Sequence, residues 1–359
     1  MYNIKYEVNL TSLKLNIKNI KDYTGCKFCA VVKGNAYGHN MAEISPKIES
    51  EVDYFGVATL SEALILRQLK ISKPILIMGR CDTVLSCVEN NIILTCVSME
   101  HLQKIIDNAK GQAFNIHIKF NSGMNRLGIK SIKEFLNILK LTEQNNINIL
   151  GFYTHFATAF CDTEYMNFQL KNFKRAVKVV KKHCPDILIH AANTPACFVN
   201  KNTCFDMVRI GIGMYGYAEL PTGVIPPVKI TPVLKISAKI IQIYSINAGE
   251  RVGYGNFFIA PKPMQIGTVS MGYADGLKKA NTGGFTAING QKAQIIGSIC
   301  MDMFIVNLSG ISAKVGDYVY VLNGGEESNA MTIAKQCNTA VSYILTEFNY
   351  RRADFILIE

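Results

Sequence analysis

Lys33 is the residue whose type and place most suggest chemistry. It follows the apolar run Cys29-Ala30-Val31-Val32 and opens directly into Gly34-Asn35-Ala36-Tyr37-Gly38-His39. Such a run reads as a strand buried on both faces, and ammonium groups are rarely buried without a reason. A lysine where a core strand opens into a Gly/Asn-rich turn is placed for Schiff-base chemistry. It can be desolvated, lose its proton near neutral pH and attack a carbonyl. The alternative is a strand-end lysine that reaches solvent. Four further segments carry polar or ionisable residues in a similar setting. HIKF runs into NSGMNRLG with Lys119 and Arg126, and YTHF ends near His155. HAANTPA holds His190, Asn193 and Thr194, and VRIGIG holds Arg209, Gly211 and Ile212.

The elements that must position these residues alternate regularly. Strand-like runs are expected at 28–33, 54–58, 75–78, 92–97, 114–120, 150–156, 187–191 and 206–210, with helical spacing between most of them, as at 61–70, 99–109, 132–142 and 165–183. Strand–helix–strand units at this spacing form parallel sheets. Eight of them, closed, make a (β/α)8 barrel of TIM type, whose chemistry gathers at the C-terminal ends of the strands. A doubly wound open sheet is disfavoured because no G-x-G-x-x-G follows the first strand. After about Pro226 short alternating runs separated by turns replace the long helices, which predicts a mostly antiparallel β-domain. The expected division is a barrel over 9–226 and a β-domain over 227–359, joined by an N-terminal strand within 1–8.

Composition narrows the class. Of 359 residues 49% are hydrophobic and 18% charged, so a large core is available. The formal charge of +11 is spread over scattered lysines and arginines with no nucleic-acid-binding pattern beside them. A basic surface that attracts small anions is expected instead. The start, MYNIKYEVNL, lacks a basic segment followed by an apolar one, and no apolar run approaches a membrane span, so a cytoplasmic protein is expected. Eleven irregularly spaced cysteines read as reduced thiols, most of them core fillers. Cys26 and Cys29 form a C-x-x-C whose members would point to opposite faces of one strand, and no second pair completes a zinc set. No metal is expected.

Loops after strands seven and eight of such barrels hold phosphate through hydroxyls and backbone N–H groups. Thr194 and the Gly211-Ile212 amides suit that role. A phosphate anchor together with a Schiff-base lysine suggests pyridoxal 5′-phosphate (PLP). The ordered segments AVVKGNAYGH, IKFNSGMNRLG, GFYTHFATA, HAANTPA and MVRIGIGMYG, continued by RVGYG, SMGYADG, GSICMDM and VSYILT, span nearly the whole chain. In sequence, length and spacing this set resembles the motifs of the alanine racemases, PLP enzymes of fold type III.

The resemblance implies that Lys33 binds PLP covalently and is one of two acid–base groups. The other is Tyr254, in RVGYG, reaching in from the second subunit of a head-to-tail homodimer. Two bases on opposite faces of a planar carbanion are what racemisation needs. Tyrosine ordinarily titrates near pH 10, so the site must help it lose its proton. Arg209 is implied to face the pyridine nitrogen. A guanidinium only donates, so the ring stays unprotonated, and side reactions such as transamination are disfavoured. His155 is implied near the ring and the second base, and Arg126 near the phenolic oxygen and substrate. Tyr37, Asn193, Thr194, Gly211, Ile212 and Tyr343 fall on the phosphate side. Met301, Asp302 and Tyr273 fall on the substrate side, the first two entering from the partner. Lys119 corresponds to a lysine that many members carry as a carbamate directed at Arg126; an ordinary strand lysine paired with Asp or Glu is the other reading. The implied role is supply of D-alanine for peptidoglycan precursors.

The chain also departs from the family pattern. Asn121-Ser122 stands where Asp-Thr is usual, and Thr194 replaces a serine. Phe160 replaces an acidic residue, Ser298 and Lys279 replace arginines, and Arg351-Arg352-Ala353-Asp354 replaces R-V-P-R. Losing charge and gaining an aromatic along the substrate path could admit other amino acids, serine first. Three other readings therefore stand beside alanine racemisation. They are a serine or broader racemase, a PLP-binding regulatory protein without turnover, and a decarboxylase on the same barrel. Regulatory relatives lack a second domain and a Tyr254-like base, and Arg209 opposes the protonated pyridine that decarboxylation needs.

Overall fold

The structure, a computed structural model, describes residues 3–359; Met1 and Tyr2, where the expected N-terminal strand begins, lie outside the described residues. The first strand is β1 (Ile4–Asn9), and it leads into a helix over Leu10–Thr24. Eight parallel strands then close into a barrel: β2 (Lys27–Val31), β3 (Tyr54–Val57), β4 (Ile75–Ile77), β5 (Ile92–Cys96), β6 (Phe114–Lys119), β7 (Ile147–Tyr153), β8 (Leu188–His190) and β9 (Met207–Ile210). Each pairs with the next, and β2 pairs with β9, Cys29 opposite Arg209. Strands covered on both faces need apolar residues throughout, and β4 (ILI) and β5 (IILTC) are buried at every position.

The connecting helices start where the sequence supplies caps. Thr59 and Glu62 form a reciprocal capping box at Leu60–Gln68. Ser98, Ser131 and Asp162 cap Met99–Ala109, Ile132–Gln144 and Thr163–His183. The helices at Leu60 and Met99 start two residues past the strand ends predicted at 58 and 97, whereas longer loops precede those at Ile132 and Thr163. The loops after β6 and β7 at the C-terminal rim carry Arg126 and His155.

The remaining strands are β10 (Leu234–Ile246), β11 (Arg251–Val252), β12 (Phe258–Ile259), β13 (Met264–Val269), β14 (Phe285–Ile288), β15 (Gln291–Ile296), β16 (Phe304–Asn307), β17 (Tyr318–Leu322) and β18 (Ala353–Ile358). An eight-stranded sheet runs β13-β16-β15-β14-β17-β10-β1-β18, and β10 also pairs with β13. All its pairings are antiparallel except β1 with β18. The long β10 pairs with β1 and β17 through its first half and with β13 from Ile240 to Ile246, a ladder interrupted by a register shift between Ile240 and Gln242. By contacts the chain forms two compact units. One comprises the described part of Met1–Leu13, Tyr37–His39 and Thr231–Glu359; the other comprises Lys14–Ala36 and Asn40–Ile230. No described helix is long and apolar enough to cross a membrane.

Candidate active site

Lys33 lies just past β2, where the backbone reverses hand. Gly34 (φ 61°), Asn35 (φ 52°), Ala36 (φ 56°), Tyr37 (φ 53°) and Gly38 (φ 80°) are all left-handed in succession. Left-handed conformations are unfavourable for L-residues, so surrounding bonds must hold the turn. Within the barrel unit, Ala36 N–H donates to Val32 O at 2.7 Å and Met41 N–H to Asn35 Oδ1 at 2.9 Å. Gly34 N–H donates to Glu62 Oε1 at 2.7 Å, while Glu62 Oε2 accepts from Ala58 and Thr59. Glu62 thus caps a helix and fixes the lysine turn together. Its pattern, Thr59-x-x-Glu62, is a legible capping signature; its second duty is not.

The strand ends bring Lys33, Lys119, Arg126, His155, His190 and Arg209 to one electrostatic neighbourhood. Burial, then Arg126 and Arg209, push the Lys33 amine below the usual lysine range, with Glu62 pulling the other way. Lys119 is buried and lowered to about 7 by burial and by Arg126, Arg209 and Lys33. No carboxylate pairs with it among the described residues. His155, half-buried, is held neutral by burial and by the same cations. Arg126 is exposed at the rim.

Arg209 is buried and anchored from three sides. Nη1 bonds His190 Nδ1 at 2.9 Å; Nη2 donates to the carbonyls of Thr154 (2.7 Å) and Ala191 (2.9 Å) and meets His155 Nδ1 at 3.3 Å. Its Nε–H and one Nη1–H keep no acceptor among the described residues. His190 stacks on Tyr153, ring centres 4.6 Å apart, and bonds His117 at 2.9 Å. Tyr153 and His117 escaped the sequence reading. Period-two spacing would have found them, since His117 lies two before Lys119 and Tyr153 two before His155.

The phosphate-side candidates fall in two places. Asn193 caps the turn that begins at Thr194, and Thr194 Oγ1 accepts from Gly213 N–H at 3.1 Å. Gly213 has no room for a side chain, because a Cβ there would stand 2.6 Å from Thr194 Cγ2. Gly211 and Ile212 precede it in the same loop. Tyr37 and Tyr343 belong to the other unit, where Gly38 presses on the carbonyl of Leu345 in the helix Val341–Glu347. Lys278, unremarked in the sequence, lies 4.0 Å above the Tyr343 ring and pairs with Glu347 at 2.8 Å.

Tyr254, Tyr273, Met301 and Asp302 also lie on this second unit and are exposed, Tyr254 to 73%. Ala274 N–H donates to Met301 O at 2.9 Å, which sets Tyr273 beside the Met301-Asp302 turn. Ser298 is buried, Phe160 is 49% exposed and Lys279 is exposed. The Cys26 thiol donates to Phe205 O while Cys29 is fully buried, and no group of three or more metal-binding side chains exists among the described residues.

Residues 8–219 match the model of the alanine racemase N-terminal domain, and residues 233–355 that of the alanine racemase C-terminal domain. The chain belongs to the alanine racemase family. An alanine racemase of Streptococcus agalactiae is 34% identical over 307 residues, covering 84% of this chain and 83% of that protein. The solved alanine racemase of Clostridium difficile 630 superposes with a TM-score of 0.92 at 32% identity, over 99% of this chain and 96% of that one. That of Bartonella henselae, which carries covalently bound pyridoxal phosphate, superposes at 0.89 with 26% identity over the whole of both chains. Family and fold make this protein an isomerase with a TIM-like barrel and a mostly antiparallel β-domain.

Proposed function

We propose that this member of the alanine racemase family interconverts L- and D-alanine, with PLP held on Lys33 and the α-proton passed between Lys33 and the partner subunit's Tyr254. The observation that carries the reading is the depressed amine of Lys33 among Lys119, Arg126 and Arg209, at the strand ends of a closed barrel. The residues suit the cofactor. Arg209 keeps two unused N–H groups, the Thr194–Gly213 contact leaves a loop without side-chain bulk, and the cations favour an anionic guest. When bound, PLP supplies the electron sink that makes the α-carbon acidic.

Lys33, neutral more readily than a free lysine, has a lone pair for covalent attachment and for taking or returning a proton at Nζ. Glu62 and the left-handed turn fix the direction from which it works. Arg209, a donor at every nitrogen, bonds a ring nitrogen only in its unprotonated form and so restrains transamination. Arg126 is placed to meet a carboxylate or phenolic oxygen. Lys119, as a carbamate, would supply the anion that holds Arg126 in place. Asn193, Thr194, Gly211 and Ile212, with Tyr37 and Tyr343, are read as the phosphate contacts.

Tyr254, Met301, Asp302 and Tyr273 stand exposed on one unit, which suits service to the site of a second copy in a homodimer. In this reading the enzyme works in the cytoplasm, and its D-alanine serves peptidoglycan precursors. A broader racemase is the second reading, favoured by the exposed ring of Phe160 and the small, buried Ser298.

The test is α-proton exchange in D2O, run with L-alanine and L-serine in parallel and followed for both deuterium uptake and enantiomer ratio. Deuterated D-alanine is the expected product. Exchange without inversion would defeat the two-base assignment, and absence of alanine exchange would defeat the racemase reading. Serine turnover comparable to that of alanine would favour the broader enzyme.

A further inference from the structure

We propose that His117 is a positioning residue: by accepting the Nε2–H of His190 it completes a buried line that ends at Arg209, holds the His190 imidazole in place and thereby orients the guanidinium. The proposal rests on the reading above in one respect, that Arg209 meets the ring of the cofactor.

The direction of the line follows from donor chemistry. Arg209 Nη1 stands 2.9 Å from His190 Nδ1, and a guanidinium has only donors, so His190 Nδ1 accepts. A neutral His190 therefore carries its proton on Nε2. That atom stands 2.9 Å from His117 Nδ1, which must accept in turn. His117 is left with its proton on Nε2, an atom buried with no hydrogen-bond partner among the described residues. The reverse direction would require Arg209 to accept a hydrogen bond. A second proton on either ring would set N–H against N–H. Both rings are fully buried, and burial with the nearby Arg209 favours their neutral forms.

The barrel makes room for this arrangement at some expense. His117 lies opposite Gly151 across β6 and β7, where a register shift between Ile116 and His117 interrupts the ladder. A Cβ at Gly151 would stand 2.4 Å from His117 Nδ1, so the wall yields a side chain to seat the imidazole. Tyr153 stacks on His190 within 9° of parallel, and its hydroxyl is tied to Thr95 Oγ1 at 3.0 Å. Buried polar atoms without partners are uncommon. An imidazole kept in place with one such atom does more than fill space. Were His190 to adopt its other tautomer, its Nδ1–H would face the Arg209 N–H, and the guanidinium would be displaced. Arg209, which has only donors, excludes that tautomer, and His117 completes the arrangement by accepting the His190 Nε2–H, which would otherwise be buried without a partner.

The test uses 15N-histidine-labelled holoenzyme, with His117→Leu, His117→Asn and Arg209→Lys beside the parent. In the parent, 15N spectra should show both rings neutral and protonated at Nε2; a proton on His190 Nδ1 overturns the proposal without any variant. His117→Leu removes the acceptor. The His190 Nε2–H is then buried without an acceptor, so its 15N signals should shift, with an about tenfold weaker PLP dissociation constant and an about tenfold lower ratio of racemisation to transamination. His117→Asn presents Oδ1 near the former Nδ1 and should recover most of both quantities. Unchanged His190 signals in His117→Leu, or losses in His117→Asn as large as in His117→Leu, would overturn the relay. If Arg209→Lys leaves PLP affinity and the transamination ratio unaltered while His117→Leu still shifts the His190 signals, the relay stands. The reading of Arg209 against the ring would then fail.

Discussion

Carbamylation of Lys119 yields to quantitative test. Its amine is lowered to about 7 from 10.5, first by burial, then by Arg126, Arg209 and Lys33. At pH 8 an amine of that pKa is about 90% neutral, against about 0.3% for an ordinary lysine, so the fraction able to attack CO2 rises roughly 300-fold. The nitrogen bonds the carbon of CO2 and one proton leaves, placing a negative charge among three cations. The bare amine has a measurable signature as well. Its folded pKa lies below its unfolded one, so between pH 7 and 10.5 the unfolded chain binds a proton that the folded chain does not. Unfolding free energy should then rise with pH by up to about 1.4 kcal/mol per unit, or about 5 kcal/mol across the window. Lys119→Met should remove that slope. The assay is 13C NMR with labelled bicarbonate at pH 8, beside chemical unfolding in CO2-free buffer from pH 7 to 10. A carbamate resonance present in the parent and absent in Lys119→Met is expected. A missing resonance at saturating bicarbonate, or parent and variant stabilities that stay parallel with pH, would refute the reasoning.

Three further outcomes are expected. Lys33→Ala and Tyr254→Phe proteins should each lose on the order of 10²–10⁴-fold in turnover. Mixed and allowed to reassociate, they should recover about a quarter of parental activity, because half the dimers then hold one intact site; no recovery would exclude a shared site. Gly151→Ala drives a Cβ into His117 and should destabilise the protein by roughly 1–3 kcal/mol, read by denaturant titration. Arg352→Ala leaves the buried carboxylate of Asp275 without its two-pronged partner, which bonds it at 2.9 and 2.7 Å. A loss of about 2–3 kcal/mol, seen as a Tm several degrees lower in calorimetry, is expected.

The barrel was legible because strands buried on both faces announce themselves as short apolar runs, and Ile75–Ile77 and Ile92–Cys96 fall where those runs lie. Boundaries slipped where chemistry intrudes. The expected strand through Lys33 ends at Val31, since the backbone turns left-handed from Gly34 onward. The helix Leu10–Thr24 went unassigned although Leu10, Leu13, Ile17 and Ile20 recur on one buried face, because lysine and asparagine fill the positions between. β18 pairs with β1 from the far end of the chain, a partnership that no local pattern encodes. At the site, residues at strand ends were readable one by one. The line from His117 through His190 to Arg209 was not, because it depends on register across four strands. The role of Arg352 was hidden likewise, for its partner lies 77 positions earlier.

The left-handed turn after Lys33 has a stereochemical consequence. Asn35, Ala36 and Tyr37 occupy the basin that suits the mirror-image residue, at about 1–2 kcal/mol each for an L-amino acid. For a D-amino acid the same dihedrals are the ordinary helical ones. A chemically ligated protein with D-alanine at position 36 would therefore relax its backbone there. The catalytic lysine of an enzyme read as making D-alanine is thus presented by a segment of backbone folded with the handedness of its product.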